Sequence, residues 1–138
     1  MNERNVAASV RARLLNKNLV VLAGDTHNGW ASNLKDMNGN EVGVEFATAS
    51  VSSPGLEEYL NVPEEAVAQA EQAITLLADD LQYANINQRG YMLVTFTATE
   101  ARADWRYVDT VKSREYSIDT SRNRALKVNA GERTLSEI

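Results

Sequence analysis

Asp25 and His27 stand two residues apart in a 138-residue chain that has one histidine and no cysteine. They follow the apolar run Leu19-Val20-Val21-Leu22-Ala23 and the glycine at position 24. The run predicts a short strand covered on both faces. The glycine lets the backbone turn sharply where that strand ends, so both side chains can point the same way above the sheet. A carboxylate oxygen and an imidazole nitrogen so presented can each bind a metal ion, or share a pair of ions. Ions held there could polarise a phosphoryl oxygen and activate water, the chemistry of a metal-dependent hydrolase. Simpler roles are open to the same residues: Asp25 could cap a turn, and His27 could be a satisfied loop residue.

The elements that must position this loop read as a layered α/β fold. Val6, Val10 and Leu14 fall four apart and predict a helix over residues 2–16, ended by Lys17 and Asn18. The strand of residues 19–23 delivers the loop, and residues 30–37 predict a strand or short helix beyond it. Asn38-Gly39-Asn40 predicts a tight turn, since Asn-Gly is a strong hairpin signal. Residues 41–48 alternate, with Val42, Val44 and Phe46 on one face, and residues 50–61 predict a loop.

Pro63 opens a helix in which Glu64 and Glu65 follow where the helix dipole favours negative charge. Val67, Ala70, Ile74, Leu77 and Leu81 give it one apolar stripe to lay on a sheet. From Arg89 the period changes to two. Met92, Val94 and Phe96 share a face, and a turn over residues 98–101 leads to Ala103, Trp105 and Tyr107, opposite Arg102, Asp104 and Arg106. The pair predicts an antiparallel hairpin with one wet side. Tyr116 and Ile118 predict a last short strand. The chain thus divides into a folded part over residues 1–118 and a polar, aperiodic C-terminal tail over residues 119–138.

Other residues carry two readings each. Trp30 anchors the loop against the sheet more naturally than it meets a substrate. Glu45 either orients a ligand from behind or is a surface acid on a strand's solvent face. Ser53-Pro54-Gly55 either shapes the rim of a pocket or is simply a turn. Arg102, Asp104 and Arg106 read as a solvated charged face, and Tyr59, Tyr83 and Tyr91 as core or interface packing.

Composition narrows the classes. The chain is 43% hydrophobic, long enough to bury a core. A net charge of −5 argues against a nucleic-acid surface, which needs a clustered basic face. No apolar run approaches a membrane span, and no signal peptide is visible at the amino terminus. Without cysteine there are no disulfides, and the redox compartment stays open.

Gly24-Asp25-Thr26-His27 resembles the last signature loop of the metallophosphoesterases, in the form of the alkaline phosphatase D branch, where Asp takes the first of two ligand positions. Matches follow in order at Trp30-Ala31, Val44-Glu45-Phe46, Ser52-Ser53-Pro54-Gly55, Arg89-Gly90-Tyr91 and Asp104-Trp105-Arg106, so that the resemblance covers residues 10–118. It implies the C-terminal portion of a metallophosphoesterase-type α/β sandwich, with a mixed sheet and flanking helices. It also implies hydrolysis of phosphate mono- or diesters, with Asp25 and His27 as metal ligands and no catalytic nucleophile in this chain.

The parent cofactors would be calcium with iron, or zinc or manganese, with none assigned to this chain alone. The family's upstream Asp-x-His, Gly-Asp-x-x-Asp and Asn-His motifs are absent, which implies a fragment inactive by itself. Its partners would be a phosphate ester in the parent enzyme, the missing N-terminal half, or a second copy of the chain. Members of that family are often exported, which leaves the location of this chain unassigned. A non-enzymatic α+β interaction module is the alternative.

Overall fold

The computed structural model describes residues 18–138, so the helix expected over residues 2–16 lies outside the described residues. Four strands form a mixed sheet: β1 (Val20–Ala23), β2 (Gly29–Lys35), β3 (Glu41–Ala47) and β4 (Leu81–Asn85), in the order β1-β3-β2-β4. β1 runs parallel to β3, while β2 is antiparallel to both β3 and β4. A second, antiparallel sheet takes β5 (Arg89–Phe96), β6 (Glu100–Val108), β7 (Ile118–Asn129) and β8 (Ser136–Glu137) in chain order.

Alternation decides which sides face inward. Ala31, Val44 and Phe46 of the mixed sheet meet Ala103, Trp105, Tyr107, Leu126 and Val128 of the antiparallel sheet in one buried cluster. Phe46 and Trp105 sit edge to face with ring centroids 5.8 Å apart. Each of the larger apolar side chains removed from water is worth about 1.5–3 kcal/mol. On the far face of the mixed sheet lies α2 (Val67–Leu77), preceded by the one-turn helix α1 (Leu56–Tyr59) and a 3-10 turn at Glu64–Ala66. Val67, Ala70 and Ile74 of α2 pack with Leu81, Ala84, Ile86 and Trp30. Helix, mixed sheet and antiparallel sheet make the α/β layering expected from the sequence.

The β2–β3 hairpin follows its turn chemistry. Asp36 Oδ1 accepts the backbone N–H groups of Asn38 and Asn40, and Gly39 takes the left-handed conformation with φ 83°. The β5–β6 hairpin turns one residue earlier than predicted, because the Thr97 hydroxyl accepts the N–H groups of Thr99 and Glu100 and closes the turn itself.

Several expectations are corrected. Among the described residues β1 is an edge strand; Val20 packs in the cluster between the sheets and Val21 in a separate one with Leu19, Leu34 and Val42, while Leu22, near its end, is 54% exposed. The helix after Pro63 ends at Leu77, which is 85% exposed, and Leu81 belongs to β4, where it pairs with Ser32. The helical spacing simply ran on into a strand. Residues 50–61 are not wholly loop, since α1 lies among them. Phe96 is exposed, unlike Met92 and Val94, because it closes β5 at the rim of the sheet. Glu45 is buried at 4% exposure and does not stand on a solvent face.

The largest correction concerns residues 119–138, which are not an aperiodic tail. They carry most of the twelve-residue β7, followed by β8. Leu126 and Val128 alternate inward as a strand should, but the inward positions before them include Arg122 and Arg124, which hid the period. Arg122 is accommodated there because its guanidinium pairs with Glu71 of α2 at 2.7 Å.

Candidate functional site

β1 ends at Ala23, and residues 24–27 form a turn closed by the His27 N–H donating to the Gly24 carbonyl at 3.3 Å. Gly24 does not supply the unusual backbone conformation. His27 does, with φ 62°, a region that costs a non-glycine residue roughly 1–2 kcal/mol. Asparagine, aspartate and histidine are the residues that best tolerate it.

Two contacts hold His27 in that conformation. Its carbonyl accepts the Ser50 N–H at 3.3 Å, and its ring Nδ1 lies 3.1 Å from the Pro54 carbonyl. A carbonyl can only accept, so Nδ1 carries a proton, and in the neutral ring Nε2 then keeps its lone pair. Metal-binding histidines commonly present themselves in this way, with one ring nitrogen donating to a carbonyl and the other turned toward the ion. Asp25 stands exposed at the crest of the same turn. One turn therefore brings the two predicted residues together.

Asn28, one residue further on, is buried and ties the turn to the next segment. Its Nδ2 donates to the Thr26 carbonyl at 2.6 Å, and its Oδ1 accepts the Leu56 N–H at 3.0 Å, holding the start of α1. Ser53-Pro54-Gly55 lies between. Gly55 is required by close approach and not by turn geometry, since a Cβ there would come within 2.5 Å of the Ile86 carbonyl oxygen. Arg89, only 5% exposed, reaches this segment from the first residue of β5, with Nε donating to the Ser53 carbonyl at 2.6 Å and Nη2 to Glu57 Oε1 at 2.8 Å.

Sequence reasoning identified Arg89 only as a match and Ser53-Pro54-Gly55 as a pocket rim or a turn, without assigning either to one assembly with His27. Asn28 it passed over. The signal was adjacency: Asn28 follows the Asp-x-His group directly, and asparagine readily bonds to nearby backbone.

Two donors fit a metal position but do not complete one. Among the described residues no group of three or more His, Cys, Asp or Glu is placed to hold an ion. A cleft of about 700 Å³ opens beside α1, lined by Glu57, Glu64, Asn87, Arg89, Asp109 and Lys112 among others. Asp25 and His27 do not line it, and its deepest charges, Arg89 and Glu57, already pair with each other. The two residues singled out from the sequence therefore lie on the turn and not in the cleft.

The face of Arg102, Asp104 and Arg106 is a clamp. Arg102 grips both oxygens of Asp104 at 2.7 Å, and Arg106 adds a contact at 3.2 Å. Arg102, chiefly by hydrogen bonding, holds the Asp104 carboxyl below its usual range. Both oxygens of the buried Asp104 are taken up by its arginines, and these residues read as structural. No helix among the described residues is long and apolar enough to cross a membrane.

A family model described as PhoD-like phosphatase matches residues 1–105. No curated protein and no solved structure matches the chain. The matched span takes in the turn of Asp25 and His27, the segment beneath it and Arg89, and it covers 105 of 138 residues. The chain belongs to the PhoD-like phosphatase family.

Proposed function

We propose that this chain is the C-terminal part of a metal-dependent phosphoric ester hydrolase, in which Asp25 and His27 are two of the protein ligands to a pair of metal ions. The observation that carries the reading is the bond between His27 Nδ1 and the Pro54 carbonyl, which in the neutral ring leaves the Nε2 lone pair for an ion, on the same turn as Asp25. A carboxylate suits a harder cation such as calcium, and an imidazole suits iron, zinc or manganese. When bound, such ions polarise a phosphoryl oxygen and make water a better nucleophile. The chain's own residues hold and orient the donors: Pro54 and Ser50 fix His27, and Asn28 fixes the turn behind it.

Two bridged ions need about six to eight protein ligands, and this turn offers two. The rest would come from an upstream half, in one chain or as a partner. β1 supports that arrangement, because among the described residues the strand that feeds the turn lies at the edge of its sheet and shows Leu22 to solvent. Without that half, the same edge favours pairing with a second copy.

The test is a chromogenic phosphate ester assay of the purified chain with added calcium, iron, zinc or manganese. No turnover is expected from the chain alone. Turnover is expected when the upstream half is restored, falling at least 10–100-fold in Asp25→Asn and in His27→Ala. Unchanged activity in both variants of the restored enzyme would remove the ligand assignment, and no turnover even with the upstream half restored would favour a non-enzymatic interaction module. Chelator-sensitive turnover by the chain alone, lost in Asp25→Asn, would overturn the fragment reading.

A further inference from the structure

We propose that Arg89 is the positioning residue that selects the tautomer of His27, and so decides which ring nitrogen is offered to a ligand. The selection is made at the Pro54 carbonyl, 3.1 Å from Nδ1, because an acceptor there keeps the proton on that nitrogen. Whatever fixes this carbonyl therefore fixes the ring. Pro54 has no N–H of its own with which to anchor the segment. The anchor is one residue back, where the Ser53 carbonyl accepts Arg89 Nε at 2.6 Å and the Ser50 hydroxyl at 2.8 Å.

Arg89 is itself held in place. It is buried, opens β5 in register with Val108 of β6, and turns its Nη2 onto Glu57 Oε1 at 2.8 Å. The planar guanidinium makes both contacts in fixed directions, one toward the loop and one toward α1. The circuit then closes on the turn where it began, because Glu57 follows Leu56, whose N–H donates to Asn28 Oδ1 next to His27. A buried ion pair adds little net stability, but it holds two segments in one geometry. Here those segments carry the acceptor for His27 and the partner of Asn28.

The inference rests on the metal-ligand reading only for what Nε2 would do, and the choice of tautomer stands apart from it. As His27 is the only histidine in the chain, its ring nitrogens give a single pair of ¹⁵N resonances, observable by long-range ¹H–¹⁵N correlation. The experiment uses the full 138-residue chain at about pH 8, above the ordinary histidine range. The variants are Arg89→Met and the double variant Arg89→Met/Glu57→Met. The double variant leaves no lone buried charge and keeps the test available if the single one fails to fold.

The native chain should show a protonated Nδ1 and an unprotonated Nε2, and added zinc should move Nε2. In the double variant the Trp105 indole resonance should persist while the two ring nitrogens move to averaged shifts, and the zinc response should weaken about 10–100-fold. A folded double variant that keeps the Nδ1–H form would overturn the proposal, as would a native chain protonated on Nε2. If zinc moves neither nitrogen although the tautomer is selected and lost as expected, the positioning role stands and the metal-ligand reading fails.

Discussion

Trp105 Nε1 donates to the main-chain carbonyl of Ala47 at 2.8 Å, joining the middle of β6 to the last residue of β3. Ala47 pairs with Ala23, the last residue of β1, and the Thr48 N–H donates to the Ala23 carbonyl at 2.9 Å. The antiparallel sheet thus braces the strand ends from which Asp25 and His27 emerge. Trp105→Phe keeps an aromatic ring but a smaller one, leaves the Ala47 carbonyl without its buried donor, and should cost at least about 1–3 kcal/mol. Trp105→Ala should cost about 3–5 kcal/mol. Denaturant unfolding measures both, and a Trp105→Phe variant as stable as the native chain would show that the bond does not brace the site.

A second bond across the sheets joins the hydroxyls of Tyr83 on β4 and Tyr107 on β6, 2.6 Å apart. Tyr83→Phe or Tyr107→Phe alone strands the other hydroxyl in the core at about 1–3 kcal/mol, so the double variant should lose less than the sum of the singles. Equal additivity in the cycle would mean that the hydroxyls do not depend on each other.

The same pair predicts the alkaline limb of stability. Burial pushes the Tyr83 hydroxyl up to about 12 and raises Tyr107 well above the ordinary tyrosine range. Below about pH 10 both are neutral whether folded or unfolded, so they add no pH dependence there. Above it the unfolded chain releases protons that the native one retains. Stability should therefore fall as pH rises from the ordinary value through the native one. The loss should be smaller in Tyr83→Phe/Tyr107→Phe, and identical alkaline limbs in urea titrations would contradict it.

Asp104 sets the opposite limb. Arg102 holds its carboxyl below the usual range, so the native state keeps Asp104 ionised at a pH where the unfolded chain takes up a proton. The stabilisation is present above the ordinary value of about 3.9 and is lost as pH falls through the native value. Asp104→Asn should be less stable than the native chain near neutral pH, and the gap should narrow in acid. A gap that stays constant from neutral pH to about pH 3 would rule out this contribution.

Much of the layering was legible because burial imposes periods on the sequence. Val44 and Phe46 on β3, and Ala103, Trp105 and Tyr107 on β6, alternate without interruption, and those strands are where they were expected. Legibility failed where one period ran into another or where charge occupied an inward position. Leu81 prolonged the spacing of α2 although it heads β4. Arg122 and Arg124 broke the alternation of β7, since a pairing with Glu71 fifty-one residues away cannot be read locally. At the site, residue types pointed to Asp25 and His27. The sequence attributed the bend to Gly24, whereas His27 itself takes the left-handed conformation, held by bonds to Ser50 and Pro54 that come from a distant segment.

The strand that replaced the expected tail yields the most severe test. Leu126 and Val128 are buried against Trp105 and Ala103, and Arg122 ties β7 to α2 through both oxygens of Glu71 at 2.7 Å. Beyond β7, Arg133 Nη1 donates to the Glu41 carbonyl at 3.0 Å, and the Leu135 N–H donates to Asn33 Oδ1 at 2.9 Å, so the end of the chain is stitched to the mixed sheet as well. Deleting residues 118–138 would uncover one side of Trp105, forfeit about 1.5–3 kcal/mol for each apolar side chain removed, and turn β6 into an open edge. Against a typical domain stability of about 5–15 kcal/mol, that loss should abolish cooperative unfolding and cause aggregation. A dispensable tail would instead leave the midpoint within about 0.5 kcal/mol of the full chain. Circular dichroism during thermal unfolding, with sedimentation of the same samples, separates the outcomes: a monomeric chain of residues 1–117 with a sharp transition would show that β7 is not part of the cooperative core.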